Sequence, residues 1–86
     1  MSSSPIEVRP LARSVAVTED ELTVWLADGR VITVPLVWFP RLLGASSAAR
    51  DQWEILGDGE GIHWPEADED LSVEGLLAGN RVRGAA

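Results

Sequence analysis

The stretch Leu22-Thr23-Val24-Trp25-Leu26-Ala27-Asp28-Gly29-Arg30-Val31-Ile32-Thr33-Val34 decides the fold class. Leu22, Val24 and Leu26 alternate with Thr23, Trp25 and Ala27, the period of two that a half-buried strand needs. Asp28-Gly29 is a two-residue hairpin signal, because glycine supplies the positive φ that a type I′ turn requires. Residues 30–34 then return, with Ile32 and Val34 on one face and Val31 and Thr33 on the other. Working back, Val15 and Val17 alternate with Ala16 and Thr18, and Glu19-Asp20-Glu21 makes a polar turn. Residues 14–34 therefore read as a three-stranded antiparallel meander, with strands near 14–18, 22–27 and 30–34.

Beyond this meander the pattern shortens. Pro35 ends the third strand, and the apolar run that follows predicts a helix near 37–43 with Pro40 in its first turn, where a missing amide does no harm. Leu36, Phe39, Leu42 and Leu43 then share a face at helical spacing. Gly44 closes it, and Ser46 or Ser47 caps a second helical turn near 46–51. Residues 53–56 read as a strand, turned by Gly57-Asp58-Gly59-Glu60-Gly61 into another at 61–64. There Ile62 and Trp64 share a face, and Pro65, lacking an amide donor, stops the strand. Ser72 is the N-cap of a helix near 72–79, its hydroxyl placed to accept an orphan amide of the first turn. Leu71 and Leu76 are spaced as a hydrophobic staple around that cap. Asp68, Glu69, Asp70 and Glu74 crowd the positive end of the helix dipole, and Gly79-Asn80 is the stop. The fold class is α+β, a small antiparallel meander sheet with short helices. Residues 1–13 read as a flexible tail with an edge strand at 6–9, residues 14–79 as one globular domain, and residues 80–86 as a loose tail.

Composition narrows the function. The chain has 86 residues, 45% of them hydrophobic, enough for one small core. Its four tryptophans, against one phenylalanine and no tyrosine, supply much of the large apolar volume. Without cysteine there are no disulfides, thiolate zinc sites or cysteine nucleophiles. Fourteen acidic against seven basic residues, all arginine, leave a net charge of −7. That field repels a phosphate backbone, so direct nucleic-acid binding is not expected, whereas a basic protein is attracted. No apolar run approaches the roughly 20 residues that span a bilayer, and the N-terminus lacks the pattern of a signal peptide. The expected compartment is the cytoplasm, with no membrane association.

Taken together, Asp28-Gly29-Arg30, Val34-Pro35-Leu36, Trp38-Phe39-Pro40-Arg41-Leu42, Arg50, Trp53-Glu54-Ile55, Gly61-Ile62-His63-Trp64-Pro65 and Asp68-Glu69-Asp70-Leu71-Ser72-Val73 resemble domain-of-unknown-function family 2442, a bacterial family of short stand-alone proteins. The resemblance covers roughly residues 14–79. It implies a small α+β fold like the N-terminal domain of a two-domain bacterial protein whose other half is a helix-turn-helix module, which this chain lacks. It also implies a toxin-like neighbour and hence an antitoxin-like role. It carries over no catalytic residue.

His63 is the sole histidine. With Asp68 and Asp70 it has the ligand chemistry for zinc or manganese, but one imidazole without thiolates makes a poor structural site, and the carboxylates are already used at the helix start. No nucleophile or triad spacing accompanies it. A strand histidine hydrogen-bonded to the acidic loop is the expectation, and no metal, cofactor or catalytic group is predicted. Gly57-x-Gly59-x-Gly61 lacks the lysine of a phosphate loop and reads as a turn. Trp38 and Arg41 belong to residue types enriched at interface hot spots, although an Arg41 or Arg50 pair with Asp68 or Asp70 would be structural. The candidate interaction surface is Trp38, Arg41, His63, Trp64, Asp68 and Asp70. The expected function is a non-enzymatic interaction module for a small basic, toxin-like protein, with a homodimer also compatible. The alternative is a regulatory or ligand-sensing domain separated from its DNA-binding module.

Overall fold

The computed structural model describes residues 10–80, so the edge strand expected at 6–9 and the tail at 81–86 lie outside it. Among the described residues two three-stranded antiparallel sheets follow one another along the chain. The first contains β1 (Ala12–Val17), β2 (Glu21–Leu26) and β3 (Val31–Pro35) in that order. The second contains β4 (Glu54–Leu56), β5 (Gly61–Trp64) and β6 (Glu69–Ser72). Between them lie a 3₁₀ turn (Leu36–Trp38) and the short helices α1 (Pro40–Leu43) and α2 (Ser47–Arg50), and α3 (Val73–Leu77) follows β6. The α+β meander expected from the sequence is present, divided into two sheets and enlarged by a sixth strand.

The first sheet follows its alternation. Leu22, Val24 and Leu26 point inward at 0–4% exposure, while Trp25 and Val31, opposite each other in the ladder, point outward. β1 begins at Ala12, inside the segment expected as tail, and an irregularity between Ala12 and Ser14 shifts its register. The Ala12 side chain is buried. At the first turn the Thr18 hydroxyl accepts the amides of Asp20 and Glu21. The second turn departs from the two-residue form. The Leu26 carbonyl accepts from Gly29, and the Leu26 amide donates to Arg30, enclosing three residues. Only Gly29 has positive φ, at 95°, so this is the three-residue loop in which glycine forms a bulge. The Asp28 carboxylate holds the loop by accepting from the Arg30 amide and guanidinium.

The helix expected over 37–43 is broken at Phe39, whose φ of −128° and ψ of 86° lie outside the helical region. A residue before proline is pushed out of the helical region by the ring, so Pro40 becomes the first residue of α1. The break drives Phe39 into the core at 1% exposure, beside Leu36 and Leu42 at 0%. The arginine at the end of α2 secures this corner. Arg50 donates from Nε to the Leu42 carbonyl and from Nη2 to that of Leu43. Carbonyls left open at a helix end favour such a cation.

The second sheet closes the core from the other side. Ile62 and Trp64 are both 0% exposed, on one face as their spacing predicts. β6 is the strand that was not expected. Its residues Glu69, Asp70, Leu71 and Ser72 alternate buried and exposed, but the inward residue at Glu69 is a carboxylate, so the apolar period is hidden. Asp70 therefore lies in a ladder rather than at a helix start. Ser72 ends the strand and also caps α3, accepting the Gly75 amide at 2.9 Å. Leu71 and Leu76, the staple pair, are both buried. At the far end of α3 the Asn80 amide reaches the Gly75 carbonyl and the Gly79 amide that of Leu76, a Schellman closure with Gly79 at φ 77°.

Two main-chain bonds tie the glycine-rich turn to its surroundings. Gly59 accepts from the Ala12 amide at 2.8 Å, and Glu60 accepts from Val73 at 2.9 Å. Gly59 sits at φ 117°, and a Cβ there would stand 2.7 Å from the Ala12 carbonyl oxygen. Glycine is required by both the backbone conformation and the close approach of β1.

Candidate functional site

The second sheet brings together four of the six residues singled out in the sequence. On its outer face the ladder aligns Glu54 opposite His63 and His63 opposite Asp70. A carboxylate therefore flanks the imidazole on each neighbouring strand. His63 Nδ1 is hydrogen-bonded to Asp70 Oδ1, with the imidazole about two-thirds covered and the carboxylate largely exposed. This is the strand histidine paired with an acidic neighbour that the sequence suggested, placed across a ladder instead of on a loop.

Pro65 to Asp68 form the turn between β5 and β6. Asp68 closes it at φ 52°, a left-handed conformation that aspartate tolerates better than most residues. From α1 the Arg41 guanidinium donates to the Asp68 carbonyl at 2.6 Å and lies 3.6 Å from its carboxylate. Of the arginine–carboxylate pairs considered, this one forms, while Arg50 serves main-chain carbonyls. Both partners are well exposed, so the ion pair itself stabilises the fold little, about 0–1 kcal/mol. The main-chain hydrogen bond fixes the turn's position beside α1.

Two of the six behave differently. Trp64 is not on the surface. It is completely buried, and its indole Nε1 donates to the Arg50 carbonyl at 3.1 Å. It shares the inward face with Ile62, and an aromatic of this size is worth more to a small core than to a rim. Trp38 is half-buried and packs against the core cluster, so it supplies volume at the 3₁₀ turn.

Glu54 and Glu69 are two further acidic residues of this sheet. Glu54 becomes visible only once strand register places it beside His63. Glu69 is 7% exposed, with one oxygen accepting the Asp70 amide and the other without a partner. A period-two pattern with a carboxylate at the inward position was the available signal. No three His, Asp or Glu side chains among the described residues form a group able to hold a metal ion, and none of their helices is long and apolar enough to cross a membrane.

Two meandering sheets around one core, with a carboxylate-lined outer face on the second, define a small α+β domain. The chain belongs to the family described as protein of unknown function (DUF2442), which matches residues 12–82. Its structure is similar to the crystal structure of a protein of unknown function from Rhodospirillum rubrum. Identity there is 34% and the TM-score 0.74, over 90% of this chain and 95% of the other. It is also similar to the solution NMR structure of an uncharacterised protein from Chromobacterium violaceum, with 28% identity and a TM-score of 0.71, over 86% of this chain and 70% of the other. No curated protein matches the chain.

Proposed function

We propose that the chain is a non-enzymatic interaction module of the cytoplasm that binds a small basic protein, as an antitoxin binds its toxin, through the second sheet and its turns. One observation carries this reading. From Asp51 to Asn80 the sequence contains nine carboxylates and neither lysine nor arginine, and all of those carboxylates except Glu69 are exposed. Helix initiation accounts for only Glu74, the single acidic residue in the first turn of α3. Arg41, reaching across from α1, offsets Asp68 alone. A segment whose charged side chains are all acidic raises the encounter rate with, and selects for, partners of opposite charge more than it adds raw affinity.

The test is affinity purification of the tagged chain from its own host, read by mass spectrometry. A small basic protein recovered at equal stoichiometry, and released by salt, is the expected result. A DNA-binding subunit recovered instead would favour the regulatory alternative. An empty or salt-indifferent result would overturn the proposal.

A further inference from the structure

We propose that the chain's own segment Arg81-Val82-Arg83 folds back into the groove between α3 and Phe39, Val82 seated on its apolar floor, so that a basic partner has to displace it. The contact lies within the chain, and only its role as a competitor rests on the basic-partner reading.

The direction in which the chain leaves α3 is the first observation. Gly79 reverses it at φ 77°, and the Asn80 amide bonds back to the Gly75 carbonyl at 2.9 Å. Asn80 then lies over Gly75, where a Cβ would stand 3.7 Å from Asn80 Nδ2 and 3.9 Å from Asn80 Cβ, besides crowding the Ser72 hydroxyl. Glycine inside a helix costs about 0.5–1 kcal/mol relative to alanine, and here it opens the helix face along which the chain returns.

At that point a groove of about 210 Å³ begins, lined by Asn80, Leu76, Leu71 and Phe39, with Asp70 among its walls. An apolar cavity of roughly 150 Å³ admits a benzene ring, so one aliphatic side chain fits. Two residues of extended chain reach about 7 Å, which brings Val82 from Asn80 to that floor. Charge points the same way. After Arg50 the sequence has no lysine, and its arginines are Arg81 and Arg83, on either side of Val82. Residues flanking a seated apolar side chain stand at the rim, where an arginine stem lies along apolar surface and its guanidinium reaches a carboxylate such as Asp70. The family match also runs to residue 82, past the closure of α3, so Arg81 and Val82 lie within the stretch that the family shares.

The experiment is NOE spectroscopy on the full chain labelled with ¹³C and ¹⁵N. The Val82 methyls give cross-peaks to the Phe39 ring and the Leu76 methyls. Val82→Ser, its fold checked by circular dichroism, loses the contact and shifts the amides of Gly75 and Leu76. In dilute affinity purification from the native host the same variant recovers about fivefold more of the basic protein, since no fraction of the binding surface is covered. Absence of the cross-peaks would overturn the inference whatever the partner proves to be. Cross-peaks with unchanged recovery would overturn the competitor role and leave the basic-partner reading standing. Recovery of no basic protein by either form would overturn that reading and the competitor role with it, while the cross-peaks would still decide whether the segment folds back.

Discussion

The strands from Ala12 to Pro35 and those from Glu54 to Ser72 share one topology, a three-stranded antiparallel meander, and differ in almost everything else. The first sheet has strands of five or six residues, and its outer face pairs Trp25 with Val31 and Thr23 with Thr33, without an inward-pointing charge. The second has strands of three or four residues, turns with Gly57, Gly59 and Asp68 at positive φ, a buried carboxylate at Glu69, and carboxylates along its outer face. Longer strands whose few charges all point outward stabilise a fold. Short strands carrying charge, joined by turns at positive φ, add little stability of their own and depend on the core that they share with the first sheet. The comparison teaches where to look for function: on the sheet whose sequence is least explained by folding.

The largest expected effect tests that dependence. Trp64→Ala removes the largest fully buried side chain and its bond to Arg50, and truncations of this kind destabilise by about 3–5 kcal/mol. Since Trp64 belongs to the same core cluster as Leu22 and Val24, urea unfolding followed at each sheet should show one shifted transition. Separate transitions would break the comparison, because the second sheet would then unfold independently.

A matched pair of substitutions sharpens it. Gly29→Ala and Gly59→Ala both force alanine into positive φ, but nothing lies within 4 Å of the new Cβ at Gly29, whereas at Gly59 it meets Ala12 at 2.7 Å. Strain alone predicts about 1–2 kcal/mol for the first, and strain with overpacking about 3 kcal/mol or more for the second. Equal losses by denaturant unfolding would mean that the turn does not pin β1.

How much of this was legible in the sequence follows the same division. In the first sheet, aliphatic Leu22, Val24 and Leu26 alternate with Thr23 and Trp25 as burial does, so the faces could be read directly. The turn length escaped, because Asp-Gly also serves a three-residue loop, and so did the start of β1 at Ala12 with its register shift. In the second sheet β5 was legible from Ile62 and Trp64, but β6 was hidden by Glu69. Ser72 was read as a cap, and it is one, although it is also the last residue of a strand. Trp64 belongs to the core and not to the candidate surface: its spacing puts it on the face of Ile62, and its indole reaches the α2 main chain, a contact no local pattern gives. No local pattern gives the Glu54–His63–Asp70 row, since it is made by strand pairing.

Smaller effects follow from individual caps. Ser72→Ala leaves the Gly75 amide without its acceptor and should lower stability by about 1 kcal/mol in thermal or urea unfolding. An unchanged midpoint would mean that β6 alone positions α3. The smallest effect concerns acid. The Asp28 carboxyl is held below its ordinary pKa by the Arg30 amide, and its guanidinium adds to this. A carboxylate with a depressed folded-state pKa stabilises the fold above its unfolded pKa, and that contribution is lost as pH falls through the lower, folded value. Asp28→Asn should therefore remove that contribution at neutral pH, leave stability below the folded value unchanged, and so flatten the acid limb of the stability–pH curve. A steeper limb would contradict the assignment.

The most direct test compares partner recovery by two neutralised variants, one on each sheet, in affinity purification from the native host. Glu54→Gln/Asp70→Asn alters the outer face of the second sheet, and Glu19→Gln/Glu21→Gln removes the same charge from the first. The first variant should lose the basic partner while the second retains it. Equal loss from both, or loss from the second alone, would contradict the assignment of function to the second sheet.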